Sequence, residues 1–201
     1  MADITGTYAL GPGDGRVLVK TGREGLAARA GHDLTLEVTQ WSASVTVPAD
    51  GVASATLTAE LDLGSLAVRE GTGGAKPLSD RDRRDIQAQA RKILGDGAKA
   101  SFASSRVIPS SSGAASAGAA APSGGAANGA VEGTLTMRGA SRPLRLQVVS
   151  PAPGVYRGSA TLRQTEFGIT PYTGFFGALK LKDEISIEFE VKIRDIPNVS
   201  S

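Results

Sequence analysis

Few residues in this sequence could do chemistry as a group, and the single histidine is the first of them. His32 is followed by Asp33, which could orient an imidazole that acts as a general base. A hydrolase triad also needs a nucleophile, but the chain has no Gly-x-Ser-x-Gly motif that would present one. We therefore interpret His32 as a structural imidazole that is hydrogen-bonded near the start of a strand.

Metal and phosphate sites are not indicated either. Transition-metal sites usually draw on several His or Cys ligands, and the chain has one His and no Cys. The glycine-rich residues 11–15 lack the Gly-Lys-Ser/Thr ending of a phosphate-binding loop, and no helix follows them. Glu188 and Glu190 share an outward strand face with no sign of a cleft. The sequence thus predicts no catalytic residue, no metal and no cofactor, and we expect a protein that is not an enzyme.

The aromatic residues are unevenly distributed. Four of the nine lie between positions 167 and 176, namely Phe167, Tyr172, Phe175 and Phe176. Gly and Pro interrupt this stretch, so it is expected to connect two long strands. Two interpretations stay open: the stretch is a hydrophobic plug at one end of a barrel, or it is an aromatic lid over an apolar cavity.

Strands with one apolar face must position these residues. Alternation of period two is clearest at residues 185–193, and a second run spans residues 55–63. Shorter runs bring the expected number of strands to about eight to ten. Most are separated by too few residues for a crossover, so antiparallel pairing follows. We predict one all-β domain over residues 1–201.

Two segments depart from the strand pattern. Ser79 is a plausible helix N-cap with Asp82 three residues on, and apolar residues then recur at helical spacing, which predicts a short helix at about 79–94. Its basic residues are interpreted as a solvated face that pairs with the aspartates of the same helix. Residues 109–130 consist almost entirely of Ser, Gly and Ala, and we expect them to form a low-complexity, disordered insertion.

Charge and hydropathy restrict the partners and the compartment. A net charge of +2 provides no general field for nucleic acid, and no apolar stretch is long enough for stable insertion into a membrane. The first residues do not resemble a signal peptide, so we expect a cytoplasmic protein. Either a monomer or a homodimer is compatible with the sequence.

Four stretches of the chain resemble one known family. They are residues 25–34 (GLAARAGHDL), which enter a strand leading to Trp41; residues 82–86 (DRRDI) with 100–104 (ASFAS); residues 133–144 (GTLTMRGASRPL); and residues 167–169 (FGI) with 182–187 (KDEISI). In this order and spacing they are similar to the YceI-like family of lipid-binding, lipocalin-like barrels. The resemblance spans nearly the whole chain.

The resemblance implies an extended eight-stranded antiparallel barrel in a bacterial protein. It also implies a non-catalytic carrier whose lumen holds a long isoprenoid chain, such as a polyprenyl phosphate or a quinone tail, or a related lipid. One alternative is a structural or protein-interaction barrel with a filled lumen and no ligand, and another is an enzyme that acts on a lipid through His32. The candidate ligand-binding residues are Leu57, Leu61, Phe102, Phe167, Tyr172, Phe175, Phe176 and Phe189.

Overall fold

A computed structural model describes residues 4–110 and 127–193 of the chain. These residues form one α-helix and a curled antiparallel sheet of twelve strands. The helix is α1 (Asp80–Leu94). The strands are β1 (Gly6–Leu10), β2 (Gly15–Glu24), β3 (Asp33–Val38), β4 (Trp41–Val47), β5 (Thr56–Asp62), β6 (Leu66–Thr72), β7 (Lys99–Pro109), β8 (Ala127–Met137), β9 (Ala140–Ala152), β10 (Val155–Arg163), β11 (Thr173–Gly174) and β12 (Leu179–Lys192). The all-β barrel class is confirmed.

The strand count differs from the expected eight because three strands are broken in two. Hydrogen bonds connect the strands in the order β1-β4-β5-β7-β8-β9-β10-β12-β2-β3-β6, and β11 pairs with β12. Leu10 lies opposite Ala43 and Val17 lies opposite Val38, so β1 and β2 run in succession along β4 and β3. In the same way β5 and β6 run along β4 and β3. Counting each broken pair once, and leaving out the two-residue β11, gives eight strand positions.

The two long alternating runs of the sequence form β5 and β12 with the expected faces. In β12 the polar side chains lie on the outside, where Glu188 contacts Lys20 at 2.7 Å and Glu190 contacts Arg157 at 2.7 Å. The hydrogen bond from Arg157 lowers the pKa of the Glu190 carboxyl. The opposite, apolar face of β12 points into the barrel. Alternation therefore predicted which side chains line the lumen.

Three strands were not predicted. The sequence analysis found no signal for β1 or β6, and β11 is only two residues long. In β6 the alternation covers only Leu66 and Val68 before polar residues follow. This alternating run is too short to predict a strand. The edges of the sheet are thus where the sequence was least informative.

The predicted helix is confirmed, including its cap. Ser79 Oγ accepts a hydrogen bond from the Asp82 backbone N–H at 3.2 Å, and the Ser79 backbone N–H donates to Asp82 Oδ2 at 2.9 Å. This reciprocal arrangement is a capping box. The hydrogen bonds from Ser79 lower the pKa of the Asp82 carboxyl. The cap is therefore complete at neutral pH and weakens only as the pH falls through this lowered pKa.

Replacing Ser79 by Ala should lower the free energy of unfolding by about 1 kcal/mol, because the first helical turn loses its side-chain acceptor. Urea denaturation at pH 7 measures this. Arg84→Ala, an exposed change in the same helix, is the control and should stay within about 0.5 kcal/mol of the parent. Equal stabilities for the parent and Ser79→Ala would contradict a contribution of the cap to folding.

The basic residues of α1 attach the helix to the barrel rather than pairing mainly along it. Arg83 donates to the carbonyl oxygens of Val68 at 3.2 Å and Arg69 at 3.0 Å, and Arg91 donates to that of Gly64 at 3.1 Å. Within the described ranges the helix has one internal ion pair, Arg81–Asp85 at 3.8 Å. The carbonyls of Val68 and Arg69 accept these hydrogen bonds because β6 is the last strand in the sheet order and has no neighbouring strand on that side.

A tight turn fixes the other end of the helix. Arg138 and Gly139 connect β8 to β9 with φ values of 52° and 79°, the pair of positive angles that a two-residue type I′ hairpin needs. The Arg138 guanidinium donates to the carbonyl oxygens of Ile93 at 2.6 Å and Leu94 at 3.1 Å. It thus satisfies carbonyls that the last helical turn leaves open.

The expected insertion at 109–130 is narrower than predicted. Strand β7 includes Pro109, and β8 begins at Ala127, so that Pro109 lies opposite Gly129 and Ile108 opposite Ala130. Both ends of the segment therefore belong to the β7–β8 hairpin. Residues 111–126, on which the expectation of disorder falls, lie outside the described residues.

Candidate functional site

The barrel encloses an apolar cavity of about 390 Å³, here called the upper cavity. Strands on different sides of the lumen, including β4, β5, β9 and β12, contribute to its wall. The wall is almost entirely aliphatic and aromatic. The lining residues include Tyr8, Trp41, Ala43, Val45, Leu57, Ala59, Leu61, Phe102, Leu144, Leu146, Tyr156, Phe189 and Val191. A cavity of this size and character is typical of a small-ligand site.

A second cavity of about 720 Å³, the lower cavity, lies between the barrel and α1. The apolar stripe of the helix forms one wall through Ile86, Ala90, Ile93 and Leu94. Unlike the upper cavity, it has several polar side chains on its wall. These are Thr21, His32, Lys76, Asp82, Asp85, Gln89, Gln164 and Tyr172.

The two cavities share a wall. Val17, Leu61, Leu135 and Ile187 line both of them. The cavities are therefore adjacent inside one barrel, with the apolar one on one side of these residues and the partly polar one on the other. A long ligand that contacts the shared residues could extend from one cavity into the other.

Two glycines make room for the aromatic rings of the upper cavity. A Cβ atom at Gly133 would lie 2.5 Å from Phe102 Cζ, and one at Gly158 would lie 2.3 Å from Phe189 Cζ. Each ring lies against bare backbone of a neighbouring strand. Glycine at these strand positions is thus explained by close packing of a ring and not by a turn.

The eight candidate ligand-binding residues fall into three groups in the structure. Leu57, Leu61, Phe102 and Phe189 meet on the wall of the upper cavity, and Tyr172 lies on the wall of the lower cavity. Phe167 is buried in the hydrophobic core with Leu162 and Ile169 and lines neither cavity in the described part of the chain. Phe176 is fully exposed, and the Phe175 side chain lies outside the described residues.

Thr21 is the most unusual polar group of the lower cavity. Its Oγ1 atom is buried, and within the described residues it has no hydrogen-bond partner. A buried hydroxyl without a partner costs stability, so such groups are uncommon in folded proteins. On the same wall, Gln164 donates its side-chain amide to the Lys182 carbonyl at 2.8 Å.

His32 has the backbone hydrogen bond that the sequence analysis expected. Its Nε2 atom lies 2.7 Å from the Lys76 carbonyl oxygen, and its ring fills the space beside Gly74, where a Cβ atom would lie 2.4 Å from Nε2. The same side chain also lines the lower cavity. The imidazole therefore fixes the loop before α1 while forming part of the cavity wall.

The charges of the lower cavity do not favour an anion. One lysine, Lys76, stands against two aspartates, Asp82 and Asp85, and the wall has no arginine in the described ranges. The lowered pKa of Asp82 keeps that carboxyl ionised at neutral pH. A phosphate placed here would meet at least as much negative as positive charge.

Two tyrosines, Tyr8 and Tyr156, contribute hydroxyl groups to the wall of the upper cavity. Tyr8 donates its hydroxyl to the Ile4 carbonyl at 2.9 Å. Burial, with a smaller contribution from Tyr8, raises the pKa of Tyr156. The Tyr156 hydroxyl is therefore neutral at physiological pH, and the upper cavity lacks any charged side chain in the described part of the chain.

Most of the cavity wall was not predicted from the sequence. Tyr8, Trp41, Thr21 and Gln164 were not singled out, and neither was the inner face of α1 as a cavity wall. For Trp41 a signal existed, because a lone tryptophan in an aromatic-poor chain at a strand start suggests a special packing role. Thr21 had no such signal, since its lack of a partner depends on the tertiary structure.

Two further searches of the described residues gave negative results. No cluster of three or more His, Cys, Asp or Glu side chains could hold a metal ion. No helix in these ranges has the length and apolar character needed to cross a membrane.

Fold and cavities together define a curled antiparallel barrel with a lumen of ligand size. Residues 19–193 match the model of the YceI-like domain, so the chain belongs to the YceI-like family. A search of curated proteins finds no match.

Two solved structures are similar in fold. BcnA of Burkholderia cenocepacia superposes with a TM-score of 0.53 at 16% identity, over 87% of this chain and 94% of that one. A polyisoprenoid-binding domain of Saccharophagus degradans, implicated in plant cell wall breakdown, superposes with a TM-score of 0.50 at 11% identity, over 93% of this chain and 98% of that one. At these identities the likeness concerns the fold.

Proposed function

We propose that the protein is a non-catalytic carrier of a long-chain isoprenoid or similar lipid with a neutral, hydrogen-bonding head group. The observation that carries the proposal is the pair of adjacent cavities, one almost entirely apolar and one partly polar, within a single barrel. Family membership and the likeness in fold to a polyisoprenoid-binding domain support the ligand class.

The polarity of the walls sets the orientation of the ligand. The tail occupies the upper cavity, where burying each CH₂ group contributes about 0.8 kcal/mol. The head group lies in the lower cavity, where a small shift of the buried, unpartnered Thr21 hydroxyl would let it hydrogen-bond to a carbonyl or hydroxyl. Of the two head groups that the family resemblance implies, the quinone type fits this wall better than a phosphate does, because Lys76 is the one Lys or Arg side chain on the wall in the described ranges and the ionised Asp82 lies on the same wall.

The alternative of a filled lumen is less well supported. A barrel without a ligand would be expected to fill its interior with side chains, as protein interiors usually do. Here the empty volumes are about 390 Å³ and about 720 Å³. Keeping so much apolar wall without contacts is costly unless a ligand supplies them.

Titration with two probes that share one tail tests the proposal. Trp41 is the only tryptophan and lines the upper cavity, so its fluorescence reports a tail that enters. We expect farnesol to change the emission with saturation and farnesyl phosphate to bind about tenfold more weakly, a difference of about 1.4 kcal/mol. Equal or tighter binding of the phosphate would contradict the neutral head group, and no binding of either probe would contradict lipid carriage.

Thr21→Val should raise the stability of the ligand-free protein by about 1 kcal/mol or more, because it removes a buried hydroxyl without a partner. The same change should weaken farnesol binding severalfold, because the head group loses a hydrogen bond. Thermal unfolding and the Trp41 titration on the same variant check both effects.

Thr161→Val, an exposed threonine of β10, is the matched control and should change neither quantity. A structural role for the Thr21 hydroxyl would give the opposite pattern, in which the variant is less stable and binds farnesol as well as the parent does.

A further inference from the structure

Two large apolar side chains are fully exposed beside the lower cavity. Leu26 has 101% and Phe176 112% of the reference exposure, the two highest values among the large hydrophobic residues that the structure describes. They lie on neighbouring loops, since the Ala27 backbone N–H donates to the Ala178 carbonyl at 2.9 Å. Single exposed hydrophobic residues are common, but a fully exposed pair on adjoining loops needs an explanation.

The backbone holds Phe176 in this position. Its φ and ψ angles are 55° and 35°, in the left-handed region that bulky residues rarely adopt. Such a conformation is unfavourable for a bulky residue and persists only where the surroundings impose it. The exposure of the ring is therefore a property of the folded loop.

These loops belong to the rim of the lower cavity, defined here as residues 25–31, 73–78 and 168–178. Ala30, Gly31, Lys76, Ile169 and Tyr172 of the rim all line that cavity. Close packing joins the loops, because a Cβ atom at Gly31 would lie 2.6 Å from Leu179 Cδ1. The exposed pair thus stands next to the cavity that the head group is proposed to occupy.

The rim has basic side chains and no acidic one. Arg29 and Lys76 are its only charged residues, and the exposed Glu24 directly precedes it in the chain. A surface with positive charge and protruding apolar side chains is complementary to an anionic bilayer, whose negative surface potential attracts basic residues. It is less suited to a second copy of the same rim, which would place like charges together.

We propose that the rim docks on the surface of an anionic lipid bilayer, with Leu26 and Phe176 inserted among the head groups, so that the lower cavity opens towards the membrane. This inference rests on the proposed function, because a carrier must collect and release a ligand that is nearly insoluble in water. The contact is peripheral and reversible, since two side chains bury far less apolar surface than a stable anchor requires.

Co-sedimentation with vesicles tests the docking. The parent should bind vesicles of phosphatidylcholine with phosphatidylglycerol and bind pure phosphatidylcholine more weakly. Leu26→Ser with Phe176→Asn should reduce binding about tenfold or more, because two apolar contacts are lost. Asparagine is chosen because it tolerates the left-handed backbone, so the fold should be kept.

Val149→Ser is the control, because Val149 is 39% exposed, lies outside the rim and is not among the residues that line either cavity. It should bind vesicles like the parent. Circular dichroism should show the same fold for all variants. Docking is contradicted if the parent does not bind anionic vesicles or if the rim variant binds them as well as the parent does. It is also contradicted if light scattering detects a dimer of the parent that the rim variant does not form.

A second readout separates this inference from the proposed function. Farnesol added from ethanol needs no bilayer, so the rim variant should give the same Trp41 titration as the parent. If the parent binds vesicles but not farnesol, the lipid carriage is wrong while the docking surface stands. If it binds farnesol but not vesicles, only the docking is wrong.

Discussion

Ala59→Trp is expected to abolish lipid binding while the barrel stays folded. Ala59 lines the upper cavity in the middle of β5, where it lies opposite Ala43 on one side and Phe102 on the other. An indole at this position would project into a cavity of about 390 Å³ and obstruct the path of an isoprenoid tail. Because the space is empty in the structure, the cost in stability should be at the low end of about 1–3 kcal/mol for overpacking.

Isothermal titration calorimetry with farnesol measures the effect without interference from the new tryptophan. Ala103→Trp is the control, because Ala103 is exposed on the outside of β7 and pairs with Thr58 on β5. The control should bind farnesol like the parent. Undiminished binding by a folded Ala59→Trp variant would place the ligand outside the upper cavity.

Phe167→Ala should lower the free energy of unfolding by about 3–5 kcal/mol, the largest effect on stability expected for a single substitution in this chain. Phe167 is 2% exposed and packs in the core with Leu162 and Ile169. Phe176→Ala, only nine residues later, should change stability by less than about 0.5 kcal/mol because its side chain contacts mainly solvent. Urea denaturation compares the two.

The comparison decides between the two interpretations of the aromatic stretch at 167–176. A large loss for Phe167→Ala alone means that the first part of the stretch is a packed plug and that its tip is free. Similar losses for both variants would show that Phe176 packs against the barrel, contrary to its exposure in the structure.

The sequence predicted the walls of the barrel well because alternation is a local property. In β5 and β12 every second residue is apolar, and those residues line the lumen in the structure. The helix was equally accessible, since Ser79, Asp82 and the apolar stripe are local signals of a capped amphipathic helix. Hence the all-β class, the helix and the lumen-facing residues of these two strands followed from the chain alone.

Other features depend on contacts between distant residues. The chain breaks between β3 and β4 at Thr39, whose hydroxyl donates to the Ser65 carbonyl beside the neighbouring strand β6 at 2.8 Å. No local pattern contains that hydrogen bond. The same holds for the arginines of α1, whose acceptors on β6 come from another part of the fold.

The candidate site was predicted only in part, for a related reason. Aromatic density drew attention to residues 167–176, yet the described cavities are lined mainly by aliphatic residues from many strands. Each contributes one or two side chains, so no single stretch stands out in the sequence. Cavities are empty space between elements, and their position follows from packing and not from composition.

Native mass spectrometry of the intact protein, purified without detergent, tests the central claim most directly. We expect a population whose mass exceeds that of the polypeptide by one lipid, and release of that lipid on collisional activation as a neutral, non-phosphorylated molecule. The Ala59→Trp variant, prepared in the same way, should show the bare polypeptide alone. Bare parent protein that also fails to take up added farnesol would contradict the claim that this barrel carries a lipid.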